Sequence, residues 1–102
     1  MKFDDIFEDA VEEAFSTYGL VGPVMIKDIE ARTGIKVSKW WKKPEKIEQV
    51  ILLTYGQGGR AITSNIVSRL LDRLPLRPQV SDGSFSQVIN QIIDQLKKSK
   101  QM

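Results

Sequence analysis

Residues 54–63 read TYGQGGRAIT, with three glycines in four positions directly before an apolar run, and this corner decides the fold. A nucleotide-binding loop requires a strand in front of it, a turn into a helix N-terminus, and a Lys or acid placed for phosphate or ribose. The preceding stretch, PEKIEQVILLTY (44–55), instead has a helical period, and no Gly-Lys-Ser/Thr follows. Gly56 therefore reads as the left-handed stop of one helix, with Gly58 and Gly59 forming a tight corner into the next.

On the N-terminal side of this corner one helix is predicted from Pro44 to Tyr55, with Ile47, Val50, Ile51, Leu52 and Leu53 turned inward. Another is predicted from about Arg60 to Leu74, where Ala61, Ile62, Ile66, Val67, Leu70, Leu71 and Leu74 make a wide apolar face. That face marks it as the central, most buried helix. Upstream, Phe3, Ile6, Phe7, Ala10, Val11, Ala14 and Phe15 form one helical stripe, with acids on the other side and Tyr18-Gly19 as the stop. Gly22-Pro23 opens a second helix, with Val24, Met25, Ile29 and Ala31 as its apolar side and Thr33-Gly34 as its end. Residues 35–38 alternate apolar and polar, the pattern of a very short extended piece.

Downstream, PLRPQVSDG (75–83) breaks the pattern and reads as a linker. Ser84 with Gln87 has the spacing of a capping box. The final helix carries Phe85, Val88, Ile89, Ile92, Ile93 and Leu96, and ends on basic residues. The expected fold class is all-α: a compact bundle of about four helices over residues 1–74, a Pro-rich linker at 75–83, and a C-terminal amphipathic helix at 84–102. At little over one and a half heptads, that last helix is too short to stand alone and must dock. Phe85, Val88, Ile89, Ile92 and Leu96 are the candidate assembly residues, with a homodimer through 84–100 slightly favoured over docking on the same chain.

The 102 residues contain no Cys and no His, which removes disulfides, thiolate nucleophiles, the usual zinc ligands and the commonest general base. The carboxylate pairs Asp5/Asp9 and Glu8/Glu12 lie on the polar side of the first helix and read as solvated. Neither an enzymatic activity nor a cofactor or metal site is expected. No apolar run approaches the roughly 20 residues of a membrane span. The acidic start, MKFDDIFEDA, is unlike a signal peptide, so the cytoplasm is the expected location. Charge is unevenly placed. Residues 1–20 hold six acids against Lys2, a net −5, whereas residues 21–102 hold 14 bases and 7 acids, a net +7.

Two surfaces remain as candidates. The stretch KVSKWWKKPEK sets Trp40 and Trp41 among Lys36, Lys39, Lys42, Lys43 and Lys46, an aromatic and basic patch suited to a nucleic acid or a partner protein. Its structural counterpart is a tryptophan pair closing one end of the bundle, with one indole partly exposed. The overlapping stretch VMIKDIEARTGIKVSKWWKK matches a helix-turn-helix in outline. Against that match, Ala31 sits three residues before Gly34 where four are needed, and Pro44 leaves little room for a recognition helix. Arg69 and Arg73 are expected to pair with Asp72 or with the acidic first helix, and Arg77 lies just beyond them.

The order of pieces FEDAVEEAFSTYG, EARTGI and PEKIEQVILLTYGQGG, over about residues 5–74, resembles a family of small archaeal helical domains described as a thaumarchaeal-type signalling output domain. The Trp-Trp pair and the last helix depart from that pattern. The resemblance implies a helical module used in regulation, with no catalytic residues to carry over. The expected function is thus a non-enzymatic regulatory or protein-interaction domain working through protein contacts. The alternative is DNA binding through the Trp40/Trp41 and lysine patch.

Overall fold

The computed structural model describes residues 2–74 and 84–98. Five α-helices carry the chain: α1 (Phe3–Ser16), α2 (Val21–Thr33), α3 (Pro44–Tyr55), α4 (Gln57–Asp72) and α5 (Phe85–Lys98). A 3₁₀ segment, Val37–Lys42, joins α2 to α3. No strand occurs among the described residues. The fold is all-α. The predicted linker at 75–83 lies outside those residues, as does Arg77.

The α1 stripe is the floor of the core, with Phe7, Ala10, Val11, Ala14 and Phe15 all buried. α4 lies along it through Ile62, Ile66 and Leu70, one side of a helix at i, i+4 and i+8. Two polar ties fix the register between them. Asn65 Nδ2 donates to the Ala14 carbonyl at 3.2 Å, and the Glu13 carboxylate meets Arg73 at 2.9 Å and Arg69 at 3.7 Å. The arginines therefore pair with the acidic first helix.

α2 meets its expected inward side only in part: Ile29 is buried and Met25 half-buried. Gly22, Ile26, Ile29 and Thr33 are its buried residues, spaced i, i+4, i+7 and i+11, while Val24 and Ala31 face solvent. The cause is a close crossing. A Cβ on Gly22 would sit 2.3 Å from the Phe15 carbonyl oxygen, so the start of α2 presses directly on the end of α1. α2 closes at Gly34, whose N–H donates to the Glu30 carbonyl at 2.7 Å.

Residues 37–42 form a 3₁₀ turn, not an extended piece. With three residues per turn, Val37 and Trp40 fall on the same side, and both are buried. Pro44 then starts α3, where its missing N–H leaves no bond unmade. Pro44, Ile47 and Ile51 are the buried positions of α3, whereas Leu53, expected inside, is 78% exposed.

The glycine corner is tighter than predicted. Gly56 (φ 59°, ψ −135°) has positive φ but lies outside the left-handed helical region, a conformation that essentially only Gly adopts. α4 begins at once with Gln57, so Gly58 and Gly59 belong to its first turn and not to a loop. Their roles differ. A Cβ on Gly59 would lie 2.8 Å from the Ile51 carbonyl oxygen, whereas one on Gly58 would meet open space.

α5 packs on α3 and α4 of its own chain. Phe85, Val88, Ile89, Ile92 and Leu96, expected to meet a second copy, are all buried in the same core as Phe7 and Ile51. Its start is held twice. Ser84 and Gln87 form the expected capping box, with Gln87 N–H to Ser84 Oγ at 3.3 Å and Ser84 N–H to Gln87 Oε1 at 3.0 Å. In addition, the Glu48 carboxylate on α3 accepts the Phe85 N–H (3.2 Å), the Ser86 N–H (3.3 Å) and the Ser86 hydroxyl (2.9 Å). An acid at a helix N-terminus satisfies donors that have no partner within the helix and meets the positive end of its dipole.

Candidate partner-binding face

Of the tryptophan and lysine patch, both indoles and Lys39 are committed to the fold. Trp40 is fully buried, and its Nε1 donates to the Ile35 carbonyl at 2.9 Å. No face of that indole is left for stacking. Trp41 is half-buried, donates from Nε1 to Asp4 Oδ1 at 2.7 Å, and meets Phe3 edge-on with ring centroids 5.1 Å apart. Lys42 stands over the Trp41 ring, 5.5 Å from its centroid, and Lys39 forms an ion pair with Asp4. The Lys39 and Trp41 hydrogen bonds hold the Asp4 carboxyl below its ordinary 3.8. Lys36, Lys42, Lys43 and Lys46 remain exposed. The helix-turn-helix outline does not materialise, because a 3₁₀ turn occupies the place of a recognition helix.

Exposed apolar surface collects elsewhere, at the corner between α1 and α2. Leu20 is 95% exposed, Val24 64%, Val21 57% and Tyr18 40%. Four large apolar side chains within seven residues make a patch and not a scatter. The signal for it is present in STYGLVGPV (16–24), where the residues after the helix stop are as apolar as those in the core.

A groove of about 380 Å³ opens beside this corner, between α1 and α2. Phe15, Ile26 and Val37 contribute apolar surface to it, and Glu8, Glu12, Glu30 and Lys27 contribute charge. Gly19 and Pro23 also line it, and their chain neighbours Leu20 and Val24 are exposed. Burial raises the Glu8 carboxyl above its ordinary 4.5, and the charges of Glu12, Asp5, Asp9 and Glu30 push the same way. Glu30 has a second task, because its Oε2 accepts the Val37 N–H at 2.8 Å and anchors the 3₁₀ segment.

Among the described residues, no group of three or more His, Cys, Asp or Glu side chains is placed to hold a metal ion. Nor is any helix among them long and apolar enough to cross a membrane. Comparison with protein-family models, characterised proteins and solved structures finds no match to this chain.

Proposed function

We propose that this chain is a non-enzymatic protein-interaction domain, of the regulatory kind implied by its resemblance to small archaeal signalling modules. Its contacts are made through the α1–α2 corner. The observation that supports this is the exposed run Leu20, Val21 and Val24, since the other large apolar side chains among the described residues, Tyr18 and Leu53 apart, are buried or half-buried. Apolar surface held in water at one end of a small domain raises solubility risk without helping the fold, and a partner that covers it removes that cost. A second reading, nucleic-acid binding, keeps support from the exposed Lys36, Lys42, Lys43 and Lys46 but has lost the Trp40 stacking face.

One experiment separates the two. A photo-crosslinking amino acid is placed in turn at Leu20, Val24, Lys46 and, as a control, at exposed Ser68 on α4, and each variant is irradiated in cells. The proposal expects discrete protein adducts at positions 20 and 24 and none at 68. Adducts to nucleic acid at position 46, with positions 20 and 24 silent, would reverse the assignment.

A further inference from the structure

The groove beside the corner has a chemistry that narrows what the corner meets. We infer that it binds a basic amphipathic segment of a partner protein, seating apolar side chains on Phe15, Ile26 and Val37 and Lys or Arg side chains on Glu8, Glu12 and Glu30. This rests on the reading that the α1–α2 corner makes protein contacts, and adds the chemical class of the partner.

Three observations lead to it. First, the volume, about 380 Å³, lies at the small end of the range for ligand sites, about 300–1,000 Å³, and suits a few side chains better than a large cofactor. Second, the rim is charged with one sign in excess, three carboxylates against the single ammonium of Lys27. Burial first, and the neighbouring carboxylates after it, raise the Glu8 carboxyl, and a cation beside it offsets both effects. Third, the groove-lining Gly19 and Pro23 are followed in the chain by Leu20 and Val24, both exposed, so further apolar side chains stand beside the groove. A helix laying one apolar face along such a groove, with cations at its edges, is a recurrent mode of peptide recognition.

A second copy of this chain is the other occupant to weigh, since exposed Leu20 adjoins a groove of its own. A symmetric dimer built that way brings Glu8, Glu12 and Glu30 of both copies to one seam, a like-charge contact that works against association. Among the described residues, the exposed lysines around the buried Trp40, at 36, 39, 42, 43 and 46, carry no exposed large apolar side chain among them. Charge thus selects a separate, basic partner.

The test uses the full chain and three synthetic peptides of about 18 residues, long enough for an amphipathic helix. One carries Leu at i, i+3, i+4 and i+7 with Lys elsewhere. A second replaces Lys by Glu, and a third keeps Lys but replaces Leu by Ser. Binding is followed by calorimetry at low and high salt, and by amide shifts in isotope-labelled protein. Only the Leu/Lys peptide is expected to bind, with shifts centred on Glu8 to Glu12 and Gly19 to Glu30. Glu8→Gln with Glu12→Gln, which leaves the core and the Glu30 anchor intact, is expected to weaken it by about tenfold and flatten its salt dependence.

Equal binding of the Leu/Glu peptide, an unchanged affinity in the double variant, or shifts centred elsewhere would each overturn the inference. So would a doubled solution mass abolished by Leu20→Asp, which names a second copy as the occupant. No peptide binding, with crosslinks intact at positions 20 and 24, removes the basic-segment inference alone. Loss of those crosslinks removes the reading beneath it.

Discussion

At the scale of single residues, three glycines that look alike in sequence carry different physics. Gly22 and Gly59 each leave room for a carbonyl from a neighbouring helix, 2.3 Å and 2.8 Å from where a Cβ would stand, while Gly58 faces open space within a helical turn. Gly22→Ala and Gly59→Ala must separate packed backbones and are expected to lower stability by about 1–3 kcal/mol, Gly22→Ala by more than Gly59→Ala. Gly58→Ala removes unfolded-chain freedom at no steric cost and is expected to raise stability by about 0.5–1 kcal/mol. Urea unfolding of the three variants checks the ordering, and equal effects at 58 and 59 would show that the corner has no tight side. The sequence made the corner legible, because Gly after a helical period is a strong stop. It did not distinguish its glycines, since the partner carbonyls come from Phe15 and Ile51, which only tertiary packing brings near.

At the scale of elements, the helices were legible and their faces less so. α1 follows its apolar period because one stripe dominates it, whereas α3 buries Ile47 and Ile51 of its apolar run and leaves Leu53 exposed. In α2 the inward stripe is Gly22, Ile26, Ile29 and Thr33, half of it not apolar, so counting hydrophobic residues finds Ile29 and half-buried Met25 but misplaces Val24 and Ala31. Val24, which the count turns inward, stands on the surface beside the candidate corner. The 3₁₀ segment escaped because Val37 and Trp40 repeat every three residues, which over six residues resembles neither a strand nor an α-helix. The Glu48 tie was invisible too, being formed between residues 37 and 38 positions apart. It makes α3 a cap for α5. Glu48→Ala leaves the Phe85 and Ser86 donors to solvent and is expected to cost about 1–2 kcal/mol, with Glu48→Gln costing less because an acceptor remains. Hydrogen exchange locates the effect: protection should fall first in the α5 amides, before α1 or α4 changes. A uniform loss along the chain would mean that the Glu48 contact supports the whole core and not the docking of one helix.

At the scale of the whole molecule, the question is whether residues 1–74 are a domain to which a helix is tethered or only most of one. Core continuity argues for the second. Phe85, Val88, Ile89, Ile92 and Leu96 are buried with Ile47, Ile51, Ile62 and Leu70 in a single cluster, and α5 touches both α3 and α4. Burying five such side chains contributes roughly 8–15 kcal/mol, at about 1.5–3 kcal/mol each and as an upper bound. That is comparable to the entire stability of a typical domain, about 5–15 kcal/mol. A chain ended after Leu74 is therefore expected to lose its cooperative thermal transition and to bind a hydrophobic dye, while retaining part of its helical signal. Supplying residues 84–102 as a separate peptide should restore the transition in a concentration-dependent way, because the same surface is then buried between two molecules. If the shortened chain instead melts cooperatively as a monomer, α5 is an accessory, its five apolar residues are free to serve another copy, and assembly through the C-terminal helix regains its place beside the α1–α2 corner.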